Sequence, residues 1–173
     1  MKKVIIQLDK STLLIKRGDA FKLNLSHNDL YEVKEENDSL IIKETKKSIF
    51  KKARVELVVN NKLDSLDVIC TNDIELEDIE VVQLNIKGDT NNVELNNVTS
   101  IISNISTTIG DVYIKSSKIE QLAINSDEGD LLINIKGNEE EYHIECAGMG
   151  DKKFAHNFLK LNSNGNIDYT FEL

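Results

Sequence analysis

A series of Asp and Asn residues recurs in this 173-residue chain, each directly before a pair of alternating apolar residues. Its members are Asp73, Asn92, Asp111, Asp130, Asp151 and Asn166. Carboxylate and amide oxygens are ligands that Ca²⁺ prefers, so stacked copies could hold a cation. Asp and Asn also bend the backbone at corners, because their side chains bond to nearby backbone groups. The chain has no Gly-Gly-x-Gly-x-Asp calcium repeat, and we predict corners here and no metal site.

The cysteines and histidines are too scattered to indicate metal or nucleophile chemistry. Cys70 and Cys146 each follow an apolar pair by two residues, so we expect both at one position of a repeated structure, about 19 Å apart. A disulfide cannot span that distance. No Cys-x-x-Cys occurs, so the ligand spacing that is typical of zinc sites is missing. His27, His143 and His156 lie far apart, and we predict that His143 points to solvent.

No motif for nucleophilic or phosphate chemistry occurs, since Gly-x-Ser-x-Gly and the phosphate-binding loop are both missing. Enzymes that cleave glycans on β-helices need clustered carboxylates with a positioned acid or base. The only arginines, Arg17 and Arg54, precede the whole Asp/Asn series. We therefore predict that the chain is not an enzyme, has no catalytic residue and uses no cofactor.

The charges are divided unevenly along the chain. Residues 1–62 carry 14 basic and 9 acidic side chains, a net of +5, whereas residues 63–173 carry 7 basic and 21 acidic, a net of −14. The net charge of −9 argues against general nucleic-acid binding. Six basic side chains flank Ile49 and Phe50: Lys43, Lys46, Lys47, Lys51, Lys52 and Arg54.

This basic segment, residues 43–54, has three interpretations. Basic residues beside exposed apolar side chains can dock on an anionic membrane, at about 1 kcal/mol per charge. They could equally meet the acidic half of a second copy, head to tail. The interpretation that we favour for the segment itself is a solvated loop or edge strand that lysines keep from aggregating. We expect a protein partner or self-association, with an anionic membrane as the alternative and no nucleic acid.

The composition favours strands. The chain has 21 Ile and 11 Val but only 5 Ala, and branching at Cβ suits a pleated, half-buried surface. Nineteen Asn and eight Gly supply turns, and proline, which would interrupt backbone ladders, is absent. The sequence predicts an all-β protein.

Two apolar pairs recur about every 19 residues from residue 63 onward. The first pairs are Leu66/Val68, Leu84/Ile86, Ser103/Ile105, Leu122/Ile124, Tyr142/Ile144 and Leu159/Leu161. The second pairs are Ile74/Leu76, Val93/Leu95, Val112/Ile114, Leu131/Ile133 and Ile167/Tyr169, with an irregular copy ending at Phe154. Alternation within a pair buries one strand face, and recurrence stacks each strand above its predecessor. This pattern predicts a right-handed, single-stranded β-helix or β-solenoid of about 19 residues per coil.

Residues 1–62 lack the repeat but still alternate like strands. We predict that they form a strand-rich N-terminal β cap and the first irregular coils, continuous with solenoid repeats over residues 63–173, because no Gly/Ser linker separates them. No apolar segment approaches the 18 residues that a membrane-spanning helix needs. The apolar stretch near the start is also too short, and followed too early by charged residues, to be a secretory leader. We therefore expect a location in the cytoplasm or at the periphery of the cell envelope.

Several stretches resemble the bacterial putative-adhesin family, a toastrack-like, β-strand-repeat family of largely uncharacterised function. They are residues 12–23 (TLLIKRGDAFKL), 39–42 (SLII), 109–114 (IGDVYI) and 128–133 (EGDLLI). The resemblance implies a β-solenoid-like fold and an association with bacterial envelopes or envelope stress. It supplies no catalytic residues.

Together these observations favour a non-catalytic, adhesin-like scaffold or interaction module tied to the bacterial cell envelope. One alternative is a self-associating structural solenoid that resembles the bactofilin polymers. A further alternative is a carbohydrate-binding β-helix.

Overall fold

The computed structural model describes residues 2–46, 53–89, 92–146, 149–150 and 157–172. These ranges contain strands and two short 3-10 turns, Asn28–Leu30 and Glu139–Glu141, without any α-helix, which confirms the all-β prediction. The strands in chain order are β1 (Lys3–Leu8), β2 (Thr12–Arg17), β3 (Lys22–Leu25), β4 (Tyr31–Glu36), β5 (Ser39–Glu44), β6 (Arg54–Val59), β7 (Leu63–Cys70), β8 (Ile74–Glu77), β9 (Glu80–Gly88), β10 (Val93–Asn96), β11 (Thr99–Ile109), β12 (Val112–Glu128), β13 (Leu131–Lys136), β14 (Tyr142–Cys146), β15 (Met149–Gly150), β16 (Asn157–Asn162) and β17 (Ile167–Glu172).

The strands form two facing sheets. The first sheet has the order β4-β5-β1-β7-β9-β11-β12-β16-β14-β15. The second has the order β3-β6-β2-β8-β10-β12-β13-β17. The long strand β12 belongs to both and turns the corner between them. Neighbours are parallel except at the ends, where β4, β15 and β3 pair antiparallel.

The central strands stack in the predicted register. Ile86 pairs with Ile105, and Ile105 pairs with Ile124, so these side chains lie one above another. Val93, Val112 and Leu131 do the same in the second sheet, and in both columns the partners are 19 residues apart in the sequence.

The core lies between the two sheets, and both columns are buried in it. Each fully buried aliphatic side chain contributes about 1.5–3 kcal/mol. Ser103 occupies an inward position where its neighbours are Leu84 and Leu122. Its hydroxyl is satisfied there by the hydroxyl of Ser100 at 2.6 Å. The interior is therefore mainly apolar, and the Ser100–Ser103 pair is one of several places where a small polar side chain is buried in it.

The predicted order of the last coils is wrong. Leu159 of β16 pairs directly with Leu122, while Ile144 of β14 pairs with Leu159 from the other side. The strand β14 therefore lies beyond β16, and its register is shifted by two residues from the predicted one. Tyr142 helps to fix this arrangement, because its buried hydroxyl donates to the carbonyl of Ile119 at 2.8 Å. Phe154 and Asp151 lie outside the described residues.

The N-terminal strands interleave in the same way. Lys3 pairs with both Ser39 and Ser65, so β1 lies between β5 and β7. Likewise β2 lies between β6 and β8. The first strands of the chain are thus interior strands of the stack, and the coil made by β5 and β6 lies outside them. The predicted boundary at residue 62 stays a prediction.

A second corner, which the sequence did not indicate, follows β8, β10 and the first part of β12. Asp78, Asn97 and Ser116 stand there with positive φ angles of 54°, 52° and 47°. The amide nitrogen of Asn97 donates to Asp78 Oδ1 at 2.7 Å, which links adjacent coils. Asp and Asn tolerate this left-handed conformation better than most residues do.

Candidate functional site

The Asp/Asn series forms a hydrogen-bonded ladder along one corner. Each Oδ1 atom accepts the backbone N–H of the equivalent residue in the next coil. The bonds run from Asn92 to Asp73 at 3.1 Å, from Asp111 to Asn92 at 3.1 Å, from Asp130 to Asp111 at 2.8 Å and from Asn166 to Asp130 at 2.8 Å. These side chains therefore join neighbouring coils, whereas the sequence had suggested bonds within each turn. Asp151 is not among the described residues.

The ladder leaves little free coordination capacity at its centre. The second oxygen of Asp111 accepts the hydroxyl of Tyr113 at 2.8 Å, and this bond raises the pKa of the tyrosine. Within the described ranges, no group of three His, Cys, Asp or Glu side chains is placed to hold a metal ion. Hydrogen bonds between coils therefore explain why Asp and Asn recur at this corner.

Glycines let the backbones approach closely at the same corner. A Cβ atom on Gly129 would collide with the carbonyl of Gly110, and one on Gly165 would collide with the carbonyl of Gly129. Gly110 and Gly129 also have positive φ angles of 147° and 154°. The Gly-Asp sequences that suggested the family resemblance therefore have a packing role.

The structure does not gather the described members of the basic segment on one sheet. Lys43 lies on the outer face of β5 in the first sheet, whereas Arg54 begins β6 in the second. Lys46 is exposed after β5. Three further lysines and two apolar residues lie outside the described residues: Lys47, Lys51, Lys52, Ile49 and Phe50. Contact with an anionic membrane stays a prediction.

The two cysteines do not share a column, which corrects the sequence-based expectation. Cys70 pairs with Gly88, whereas Cys146 pairs with Leu161, because β16 is inserted before β14. Both thiols are free. Burial raises the pKa of Cys70 to about 11, so this thiol stays protonated at neutral pH. Burial also raises the pKa of Cys146. Neither environment activates a nucleophile.

The two described histidines lie in different parts of the fold. His143 lies between the buried residues Tyr142 and Ile144 of β14 and therefore faces outward, as predicted. His27 precedes the first 3-10 turn. His156 lies outside the described part of the chain.

The outer face of the second sheet carries an acidic row. Glu75 and Glu94 are register partners, and Tyr113 follows in the same row. Partial burial and the nearby Glu77 and Glu94 raise the pKa of Glu75. A hydrogen bond from Lys115 lowers the pKa of Glu94. The surroundings therefore disfavour the ionised form of Glu75 and favour that of Glu94.

The outer face of the first sheet contains an open groove of about 760 Å³ that crosses from β7 to β14. One row of its floor consists of Asp67, Asn85, Asn104, Ala123 and Lys160, which are partners on adjacent strands. Asn85 donates to Asp67 Oδ1 at 2.7 Å, and Asn104 donates to Asn85 Oδ1 at 3.1 Å. These bonds fix the orientation of the amides.

The second row of the groove contains Ser106, Asn125 and Asn162. Asn162 donates to Asn125 Oδ1 at 2.7 Å. Sequence reasoning missed this surface because it attended to the inward residues. The 19-residue spacing of Asn85 and Asn104 was a usable signal, but the pairing of Asn125 with Asn162 crosses the irregular region and gave none.

Among the described residues, no helix is long and apolar enough to cross a membrane. No curated protein matches the chain. One solved structure with a similar fold is a "putative adhesin" from Bacteroides fragilis, with 12% identity and a TM-score of 0.53, covering 99% of this chain and 94% of that one. A "putative cell adhesion protein" from Clostridium sporogenes aligns at 13% identity with a TM-score of 0.34, covering 99% and 93%.

The sequence itself matches a family profile over residues 3–151, which include the interleaved first strands and the central stack. The match agrees with the resemblance carried by residues 12–23 and the Gly-Asp repeats. This chain belongs to the Toastrack DUF4097 family.

Proposed function

We propose that this protein is a non-catalytic, adhesin-like interaction module that works at the bacterial cell envelope. The observation that carries the proposal is the stack of parallel strands in register. On its outer faces, equivalent side chains of adjacent strands form rows with a spacing of about 4.8 Å. Such faces suit the binding of extended partners. The similarity in fold to the Bacteroides "putative adhesin" supports the same function.

A non-catalytic function also agrees with the chemistry of the described side chains. The carboxylates of the corner ladder accept backbone N–H groups. Arg17 forms an ion pair with Glu80 at 2.6 Å, away from that ladder. The two cysteines have raised pKa values. This distribution lacks the positioned acid and base that hydrolysis requires.

The proposal includes a right-handed winding with coils of about 19 residues. Support for the coil length comes from partners such as Glu80, Thr99 and Lys118, which follow one another in register. Support for the hand comes from a general rule, since connections between parallel strands of one sheet are right-handed in about 98% of cases.

The test is binding of the purified, fluorescently labelled protein to isolated bacterial envelopes in a sedimentation assay. We expect saturable binding that heat-unfolded protein does not reproduce. Anionic and neutral lipid vesicles, compared in parallel, separate attachment through the basic segment from attachment to other envelope components. Equal sedimentation of folded and unfolded protein, or none, would contradict the proposal.

Self-association is the second candidate, because apolar residues remain half-buried at both ends of the second sheet. Leu23 and Leu25 lie on β3 at one end, and Ile167, Tyr169 and Phe171 lie on β17 at the other. In the described chain, neither strand has a partner on its outer edge. The net charges of +5 and −14 would favour head-to-tail contact. Sedimentation velocity at rising protein and salt concentrations tests this candidate, and a constant monomer would exclude it.

A further inference from the structure

The groove on the outer face of the first sheet is elongated. It crosses six strands from β7 to β14, a distance of about 24 Å at ~4.8 Å per strand. All the residues that line it belong to the described ranges. This shape fits an extended ligand that lies across the strands.

Two sets of hydrogen-bonded amides reach the centre of the groove, one ending at Asn104 and the other at Asn125. The first presents a free acceptor there and the second a free donor. Asn104 uses its amide nitrogen to bond Asn85, which leaves its Oδ1 branch directed towards β12. Asn125 uses its Oδ1 to accept from Asn162, which leaves its amide nitrogen directed towards β11. Neither free branch has a hydrogen-bond partner among the described residues. A fixed acceptor and a fixed donor therefore stand on opposite sides of the centre.

Ala123 lies beside both groups, as the register partner of Asn104 on β11 and two residues before Asn125 on β12. Its methyl group cannot hydrogen-bond to Asn104, its partner on β11, and it leaves space above the sheet. Ser106, whose side chain is exposed, is the register partner of Asn125 on the adjacent strand. Towards β7 the side chain of Ile69 is 48% exposed and adds apolar surface. The groove thus combines neutral donors and acceptors with apolar carbon, which matches the hydroxyls and C–H faces of a sugar ring.

The charge distribution favours a neutral ligand. Lys160 pairs with Glu145 at 3.4 Å, and Lys3 pairs with Asp67 at 3.9 Å. Among the described side chains lining the groove, Lys87 is the cation without an ion-pair partner. A polyanion would be repelled by the net charge of −9.

The position of the groove also argues against a peptide that binds as an added strand. Peptides bind in that way to the free edge of a sheet, where backbone N–H and C=O groups are unpaired. The groove instead lies over paired interior strands, whose backbone groups already bond to one another. The bonds available to a ligand come from side chains, which suits hydroxyl groups.

We propose that this groove binds one neutral, unbranched polysaccharide chain of the bacterial surface, with Asn104, Ser106 and Asn125 bonding its hydroxyls above Ala123. The inference rests on the proposed function, because it names the class of envelope component that the module binds.

Native affinity electrophoresis in gels that contain a polysaccharide tests the proposal. The probes are dextran, mannan, linear β-1,3-glucan, hydroxyethylcellulose and the neutral polysaccharide fraction of bacterial envelopes, with polygalacturonate as the anionic comparison. We expect at least one neutral probe to retard the wild-type protein. Ala123→Gln fills the centre and Asn104→Ala removes the acceptor, and each should weaken that binding about tenfold. Leu132→Gln on the outer face of the second sheet is the matched control, and circular dichroism checks that all variants are folded.

The proposal is overturned if no neutral probe retards the wild type, if polygalacturonate alone does, or if folded Ala123→Gln binds as well as Leu132→Gln. Envelope sedimentation separates its failure from that of the proposed function. If the wild type sediments with envelopes but no neutral polysaccharide retards it, the interaction module stands and the groove assignment is wrong. If it binds neither, both are wrong.

Discussion

Gly129 and Gly137 have similar backbone conformations but different surroundings. Their φ angles are 154° and 146°, values that side chains rarely adopt. A Cβ on Gly129 would collide with the carbonyl of Gly110, whereas a Cβ on Gly137 would make ordinary contact with the ring of Tyr142 at 3.5 Å. We predict that Gly137→Ala costs the backbone strain, about 1–3 kcal/mol, and that Gly129→Ala costs about 1–3 kcal/mol more. Urea unfolding of both variants measures the difference, and equal losses would show that close coil stacking is not needed there.

Glu75 should destabilise the folded chain at neutral pH. Its pKa is raised by burial and by Glu77 and Glu94, so the folded state disfavours the ionised carboxylate. The penalty is fully present above the raised pKa and disappears below the unfolded pKa, at about pH 4. We predict that Glu75→Gln stabilises the protein by about 0.2–1 kcal/mol at pH 7 and that the gain vanishes in acid.

Glu56 is the matched control for that prediction, because the hydrogen bond from Lys16 lowers its pKa. Its contribution to stability is present above the unfolded pKa and is lost as pH falls through the folded pKa. Glu56→Gln should therefore destabilise at pH 7, the opposite sign. Thermal melts of both variants at pH 7 and well below pH 4 test both predictions, and a destabilised Glu75→Gln at pH 7 would refute the electrostatic account.

At the scale of the element, two variants distinguish a hydrogen-bonding role of Asp111 in the corner ladder from a role in binding a cation. Its two oxygens accept the N–H of Asp130 and the hydroxyl of Tyr113. Asp111→Ala removes both acceptors and should cost about 1–2 kcal/mol. Asp111→Asn keeps an oxygen for the ladder, as Asn92 does, and should stay within about 0.5 kcal/mol of wild type. Chemical denaturation measures both. If Asp111→Asn is as damaging as Asp111→Ala, or if a chelator lowers wild-type stability, the account by hydrogen bonding alone is wrong and a cation site at Asp111 is favoured.

The strands that could be predicted are those whose apolar residues recur at a regular spacing in the sequence. Alternation and the 19-residue recurrence placed Ile86, Ile105 and Ile124 in one column, because each strand packs on the copy before it. The same reasoning failed at Ile144. The chain inserts β16 between β12 and β14, and no local pattern marks that exchange.

Long-range polar contacts were equally invisible. One carboxylate oxygen of Glu44 accepts the backbone N–H groups of Asp9, Lys10 and Ser11 at 2.9, 3.0 and 3.1 Å, across 33 to 35 residues of sequence. Nothing near Glu44 in the sequence distinguishes it from a solvated acid. Part of the groove was missed for a related reason, since the pairing of Asn125 with Asn162 depends on the insertion of β16 beside β12.

At the scale of the whole molecule, the order of strands in space differs from their order in the chain. Because β1 and β2 each pair on both sides, we predict that deletion of residues 1–18 abolishes cooperative folding. The deletion would expose the backbone edges of β5 and β7 and remove buried side chains such as Ile6 and Ile15. Far-UV circular dichroism and thermal melts test this prediction.

Deletion of residues 165–173 is the comparison for that truncation, because β17 pairs with β13 alone in the described chain. This second truncation should lower the melting temperature but keep a single transition. If the chain without residues 1–18 unfolds as cooperatively as the chain without residues 165–173, the interior position of the first strands has no energetic importance.

The interior position of β1 has a mechanical consequence. A tensile load applied at the N-terminus would act along a strand clamped on both flanks by β5 and β7. Because the hydrogen bonds to both neighbours lie across the strand, such a load would strain many of them together in shear. The strand β1 should therefore resist detachment under load, although terminal strands in most folds are among the first parts to peel away.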